Sequence, residues 1–135
     1  MSYTIGLDYG TNSCRCVIVN AANGEEVGTA IYEYETGEHG IILDKRDHNV
    51  ARQNPADYIK GTEVTIKKAM SVAKKAGKKF KEESVIGIGV DTTGSTPLPV
   101  DRDGTPLAML KEFKKNPNAM AWLWKDHTSY AEAAE

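Results

Sequence analysis

The stretch that most limits how this chain can fold is Ile5-Gly6-Leu7-Asp8-Tyr9-Gly10-Thr11-Asn12-Ser13-Cys14-Arg15. Tyr3, Ile5 and Leu7 alternate with Thr4, Gly6 and Asp8, the period-two pattern of a strand with one buried face. Gly10 to Ser13 is turn chemistry. Arg15 to Asn20 resumes the alternation, with Val17 and Val19 on one face and Cys16 and Ile18 on the other. Asn23-Gly24 predicts a hairpin turn, and Val27 to Tyr34 a third strand. The chain therefore opens on a three-stranded antiparallel meander. A glycine-bearing turn spans residues 5 to 13 between its first two strands.

That turn suits phosphate. Phosphate oxygens need several donors at short range, and backbone N–H groups provide them where the chain allows close approach. Gly10 allows that approach, while Thr11, Asn12 and Ser13 add short polar side chains. Asp8 stands at the strand end facing the same space. A carboxylate beside phosphates repels them unless a cation intervenes, which points to Mg²⁺ held by one or two carboxylates, waters and the phosphates. The alternative is a plain hairpin with Asp8 and Asn12 as turn formers. D-x-G-T is short, and it is neither a Walker A loop nor a G-x-G-x-x-G that opens a helix.

Downstream, the polar stretch 36–53 reads as a loop or an insertion. Asn54-Pro55 predicts a helix start, with Asn54 as N-cap and Asp57 facing the dipole. Ile59, Ile66, Met70 and Ala73 would face a core, and Gly77 fits the stop. Lysines 74, 75, 78, 79 and 81 read as a solvated C-terminal end. Val85 to Asp91 reads as a buried strand with Gly87 and Gly89 open to a helix, and Thr96 to Val100 as an edge strand carrying Pro97 and Pro99. Asp101 to Gly104 is a turn. Asn116-Pro117 predicts a second helix over Ala119 to His127, and Ser129 with Glu132 a capping box for one more.

The bulk numbers exclude some classes. A length of 135 residues fits one domain. The net charge of -2 supplies no basic field for nucleic acid. No apolar run approaches the roughly 20 residues that cross a bilayer, so no membrane partner is expected, and with no leader pattern the expectation is a cytoplasmic protein. Cys14 and Cys16 read as small buried apolar groups rather than as metal ligands. His39, His48 and His127 read as loop or surface residues.

Four segments in order carry a resemblance: Ile5 to Arg15; Gln53 to Tyr58; Ile86 to Thr96 with Leu98-Pro99-Val100-Asp101; and Asn116 to Ala119 with Leu123-Trp124-Lys125-Asp126-His127. The first resembles the leading phosphate motif of the actin, hexokinase and heat-shock chaperone superfamily. Together they resemble the N-terminal domain of the FGGY family of carbohydrate kinases, nearest the branch that phosphorylates L-ribulose. The sequence departs from that branch at Met120, Trp122, Cys14 and Cys16.

The resemblance implies an α/β, ribonuclease-H-like fold over residues 1–135, ending before the domain is complete. It implies ATP and Mg²⁺, with a ketopentose or polyol as substrate. On that analogy Asp8 orders Mg²⁺ through water, Gly10, Thr11 and Asn12 approach the transferred phosphate, and Arg15 lies near the phosphates. Gly94 and Ser95 fall where the family touches sugar, with a bare Thr/Gly turn as the alternative. Trp122, Trp124 and Lys125 form a third group, of which one tryptophan is core and the other, or Lys125, borders the cleft. The catalytic aspartate is expected beyond Glu135, so residues 1–135 alone are not expected to turn over. A non-catalytic nucleotide- or sugar-binding regulator of the same superfamily is the competing function. An apolar face left uncovered would favour a homo-oligomer.

Overall fold

The computed structural model describes residues 1–76 and 79–135. Its main elements are β1 (Tyr3–Tyr9), β2 (Ser13–Asn20), β3 (Glu26–Glu33), β4 (Ile42–Leu43), β5 (Ala51–Gln53), α1 (Pro55–Lys75), β6 (Val85–Thr92) and β7 (Ala121–Trp122). They form two compact units, Met1–Glu33 with Tyr58–Thr92 and Tyr34–Asp57 with Thr93–Glu135.

The first unit is a four-stranded sheet in the order β3-β2-β1-β6, with α1 from Tyr58 onward packed on one face. The meander is as the alternation predicts, and β2 begins at Ser13, so the turn is only Gly10 to Asn12. Tyr3, Ile5, Leu7, Cys16 and Ile18 are buried with Val27, Ala69, Ala73 and Phe80. The Asn23-Gly24 hairpin is present, with Gly24 at φ 75°. The Cys14 and Cys16 thiols are free and buried.

Helix α1 starts at the expected cap: the Asn54 side-chain oxygen accepts from the Ala56 N–H at 3.0 Å. Of its expected core face, Ala73 is buried and Ile66 and Met70 pack against the core, whereas Ile59 does not. Gly61, Thr65, Ala69 and Ala73 are buried, while Ile59 is 54% exposed. Small residues serve because the helix lies close on the sheet. A Cβ on Gly28 would stand 2.3 Å from the Ala69 carbonyl oxygen, and one on Gly61 2.8 Å from Cys14 Cβ. Lys74 pairs with Glu82, as a solvated end would. Gly77 and Lys78 lie outside the described residues.

Strand β6 runs parallel to β1 at the sheet edge, and it is not buried. Ile86, Ile88 and Val90 are 68%, 61% and 62% exposed, and nothing stands within 4 Å of a Cβ on Gly89. Hydrophobicity predicted burial, but among the described residues of this unit none covers those side chains.

The second unit holds a three-stranded antiparallel sheet in the order β4-β5-β7. Two of its strands lie in the stretch expected to be loop. The polar residues that hid β5, Arg52 and Gln53, are themselves buried. The helix expected from Ala119 to His127 is absent: Pro117–Ala119 makes one 3-10 turn capped by the Asn116 side chain, and β7 follows. The capping signal was real but local. The segment from Thr96 to Val100 forms no strand, only a bridge from Val100 to Pro106. The Asp101–Gly104 turn is present, with Gly104 N–H donating to the Asp101 carbonyl at 3.1 Å. Ser129 and Glu132 form no capping box; Glu132–Ala134 is a 3-10 turn preceded by Ala131. A second core gathers Ala108, Ala119 and Met120 with Ile42, Leu107 and Phe113.

Candidate functional site

The Gly10 N–H donates to the Ser13 carbonyl at 2.9 Å across the turn between β1 and β2. Gly10 needs no special conformation. A Cβ there would meet Ser13 O at 3.4 Å and Arg15 Nη2 at 3.6 Å, which are ordinary contacts. Nothing in the folded chain therefore demands glycine at this position, whereas close approach by an outside group would. Thr11 is half-buried and Asn12 exposed.

Register places the charged residues. Asp8 pairs with Arg15 across β1 and β2, and with Asp91 across β1 and β6. Alternation puts all three on the sheet face opposite α1, with Gly6, Val17 and Gly89. They line one open cavity of about 630 Å³ on that face, together with Thr29, Ala30 and Ile31. Arg15 Nη1 lies 3.0 Å from Asp8 Oδ2. Both side chains are about half exposed (56% and 41%), so the pair contributes at most about 1 kcal/mol and is readily exchanged for another partner.

Asp91 is the residue that sequence reasoning missed as a partner of Asp8. Only the parallel pairing of β1 with β6 makes them neighbours, and no local pattern announces a parallel partner 83 positions away. Like charges side by side on a sheet are unfavourable. Arg15 offsets one of them, and a divalent cation would offset both. Two carboxylates without a third ligand suit Mg²⁺, which keeps several of its waters, better than a closed protein cage. Among the described residues no cluster of three or more His, Cys, Asp or Glu is poised to hold a metal. The three histidines are exposed.

The residues expected near sugar belong to the second unit. Gly94 is exposed, with nothing within 4 Å of a Cβ. Ser95 sits at φ 53°, a left-handed conformation that a serine seldom takes without support. The Thr93 and Thr96 hydroxyls bond across it at 3.1 Å. Lys125 is exposed, with its Nζ 5.3 Å from the Trp124 ring centroid. Trp124 is half exposed and Trp122 less so, and they stand in and beside a strand rather than on a helix.

A model of the N-terminal domain of the FGGY family of carbohydrate kinases matches residues 3–132. A ribulokinase from Vibrio parahaemolyticus is 44% identical over 131 residues, covering 97% of this chain and 22% of that protein. One from Halalkalibacterium halodurans is 40% identical over 138 residues, covering 97% and 23%. The solved structure of a xyloylose (xylulose) kinase from Brucella ovis superposes with a TM-score of 0.72 at 23% identity, over 98% of this chain and 23% of that one. That likeness bears out the α/β, ribonuclease-H-like fold. The chain spans less than a quarter of the length of the curated relatives it matches.

Proposed function

The chain belongs to the FGGY family of carbohydrate kinases, and from that premise we propose that residues 1–135 are the opening part of an ATP-dependent kinase for L-ribulose or a related ketopentose or polyol. Both units are then parts of its N-terminal domain, and a cytoplasmic setting, where ATP is at hand, agrees with two free cysteines. The observation that carries this reading is the Gly10 turn with Asp8, Asp91 and Arg15 on one open face beside it.

Phosphoryl transfer is mostly positioning and charge stabilisation. Backbone N–H groups of the turn, with Thr11 and Asn12, receive the transferred phosphate, and Gly10 leaves room for it. Arg15 exchanges Asp8 for phosphate oxygens. Asp8, with Asp91 beside it, would hold Mg²⁺ through water; when bound, the ion neutralises charge on the phosphates. Gly94 and Ser95 touch the sugar, and Lys125 borders its pocket. The group that accepts the hydroxyl proton is assigned to no residue of this chain, so residues 1–135 alone do not turn over.

The test is a coupled ADP-release assay on the full-length protein, with MgATP and, in turn, L-ribulose, D-xylulose, ribitol and glycerol. Turnover of a ketopentose or pentitol is expected. Binding of nucleotide or sugar without turnover of any of the four would favour the regulatory alternative instead.

A further inference from the structure

The second unit holds a buried charged cluster with no part in the function proposed above. Arg52 on β5 is only 2% exposed and forms an ion pair with Asp126. Its guanidinium carbon lies 3.7 Å from the ring centroid of Trp122, its register partner on β7. Asp126 is committed as well: one carboxylate oxygen accepts from the Ala51 N–H at 2.8 Å, the other from the Thr128 N–H at 3.1 Å and from the Thr128 hydroxyl. Among the described residues the Arg52 Nε has no hydrogen-bond acceptor.

Such a cluster is a costly way to fill a core. A buried ion pair rarely stabilises more than an apolar group of the same volume, whereas a cation with a planar partner fixes geometry. What it fixes is visible one bond further on. The Trp122 backbone N–H donates to the Pro97 carbonyl at 2.9 Å. Pro97 lies two residues beyond Ser95, whose left-handed backbone persists only where its surroundings determine it. The Thr93–Thr96 hydroxyl bond closes the loop on itself, and the Trp122–Pro97 bond ties it to β7.

We propose that Arg52 is a positioning residue for the Gly94–Ser95 loop. Stacked on Trp122 and paired with Asp126, it holds β7 in place, and β7 holds the loop through Pro97. Arg52 thereby sets sugar affinity without touching the sugar. The inference rests on the reading above that this loop contacts sugar.

The experiment uses the full-length protein with MgATP and L-ribulose, and the variants Trp122→Leu, Trp122→Phe, Asp126→Asn and Ser95→Ala. Trp122→Leu and Asp126→Asn should raise the KM for sugar on the order of tenfold and leave the KM for MgATP within about twofold. Trp122→Phe, which keeps a ring under the guanidinium, should restore most of the loss. Amide exchange across residues 93–96 should quicken in Trp122→Leu, a readout that needs no turnover. Unchanged exchange there overturns the proposal whatever the activity, as do equal rises in both KM values. If Ser95→Ala leaves the sugar KM unchanged, the loop assignment falls and takes the positioning role with it. If Ser95→Ala raises it and Trp122→Leu does not, only the positioning role falls.

Discussion

Asp8 is poised between two partners. In the structure it is paired with Arg15, yet the pair is half exposed and Asp91 stands on its other side. Such an arrangement is weakly held, and the proposed cation and phosphate would reorganise it easily. Gly10 gives the sharper test at this scale. A Cβ there meets nothing closer than 3.4 Å, so Gly10→Ala should change stability by less than about 1 kcal/mol, while turnover with MgATP falls on the order of 10²-fold. Differential scanning fluorimetry beside the coupled assay separates the two effects. Cys16 bears on stability instead. Burial pushes its thiol from an ordinary 9.0 up to about 11, helped by Cys14. The folded state then keeps a proton that the unfolded chain gives up. Stability is thus unaffected below pH 9 and declines as pH rises from about 9 toward 11, by on the order of 2 kcal/mol. Urea unfolding at pH 8 and pH 10.5 measures it, and Cys16→Ala should flatten the difference.

At the scale of elements, what was legible followed from local physics. The meander could be read because its alternation is strict and one face is buried. The start of α1 could be read because capping is local chemistry. Its core face was legible at Ile66, Met70 and Ala73 but not at Gly61, Thr65 and Ala69, which carry little hydrophobic signal and are inside only because the sheet is so close. Strand β5 was hidden by the opposite effect: Arg52 is buried through its ion pair and ring partner, which no composition reveals. At the site, Asp8, Gly10 and Arg15 were legible as one turn, while Asp91 required knowledge of the parallel pairing. The close helix approach predicts that Gly28→Ala, with its Cβ 2.3 Å from the Ala69 carbonyl oxygen, destabilises by about 1–3 kcal/mol. Gly89→Ala, in open space on the same sheet, should cost far less, and chemical denaturation of the pair checks the contrast.

For the whole molecule, the first unit carries the turn proposed to receive phosphate and the second the loop proposed to contact sugar, and the family match runs through both. No described helix is long and apolar enough to cross a membrane. The stretch covers 22% of its Vibrio parahaemolyticus relative, so residues 1–135 produced alone should give no steady release of ADP with L-ribulose and MgATP. Steady turnover by that stretch would place the full machinery inside it. If the turn after Asp8 serves phosphoryl transfer, Asp8→Asn in the full-length protein should abolish most of the turnover. The substitution keeps shape and removes charge from a pair that adds little stability. The expected result is a kcat lowered by on the order of 10²-fold or more with an almost unchanged thermal midpoint. Wild-type kcat and KM for MgATP in Asp8→Asn would contradict it.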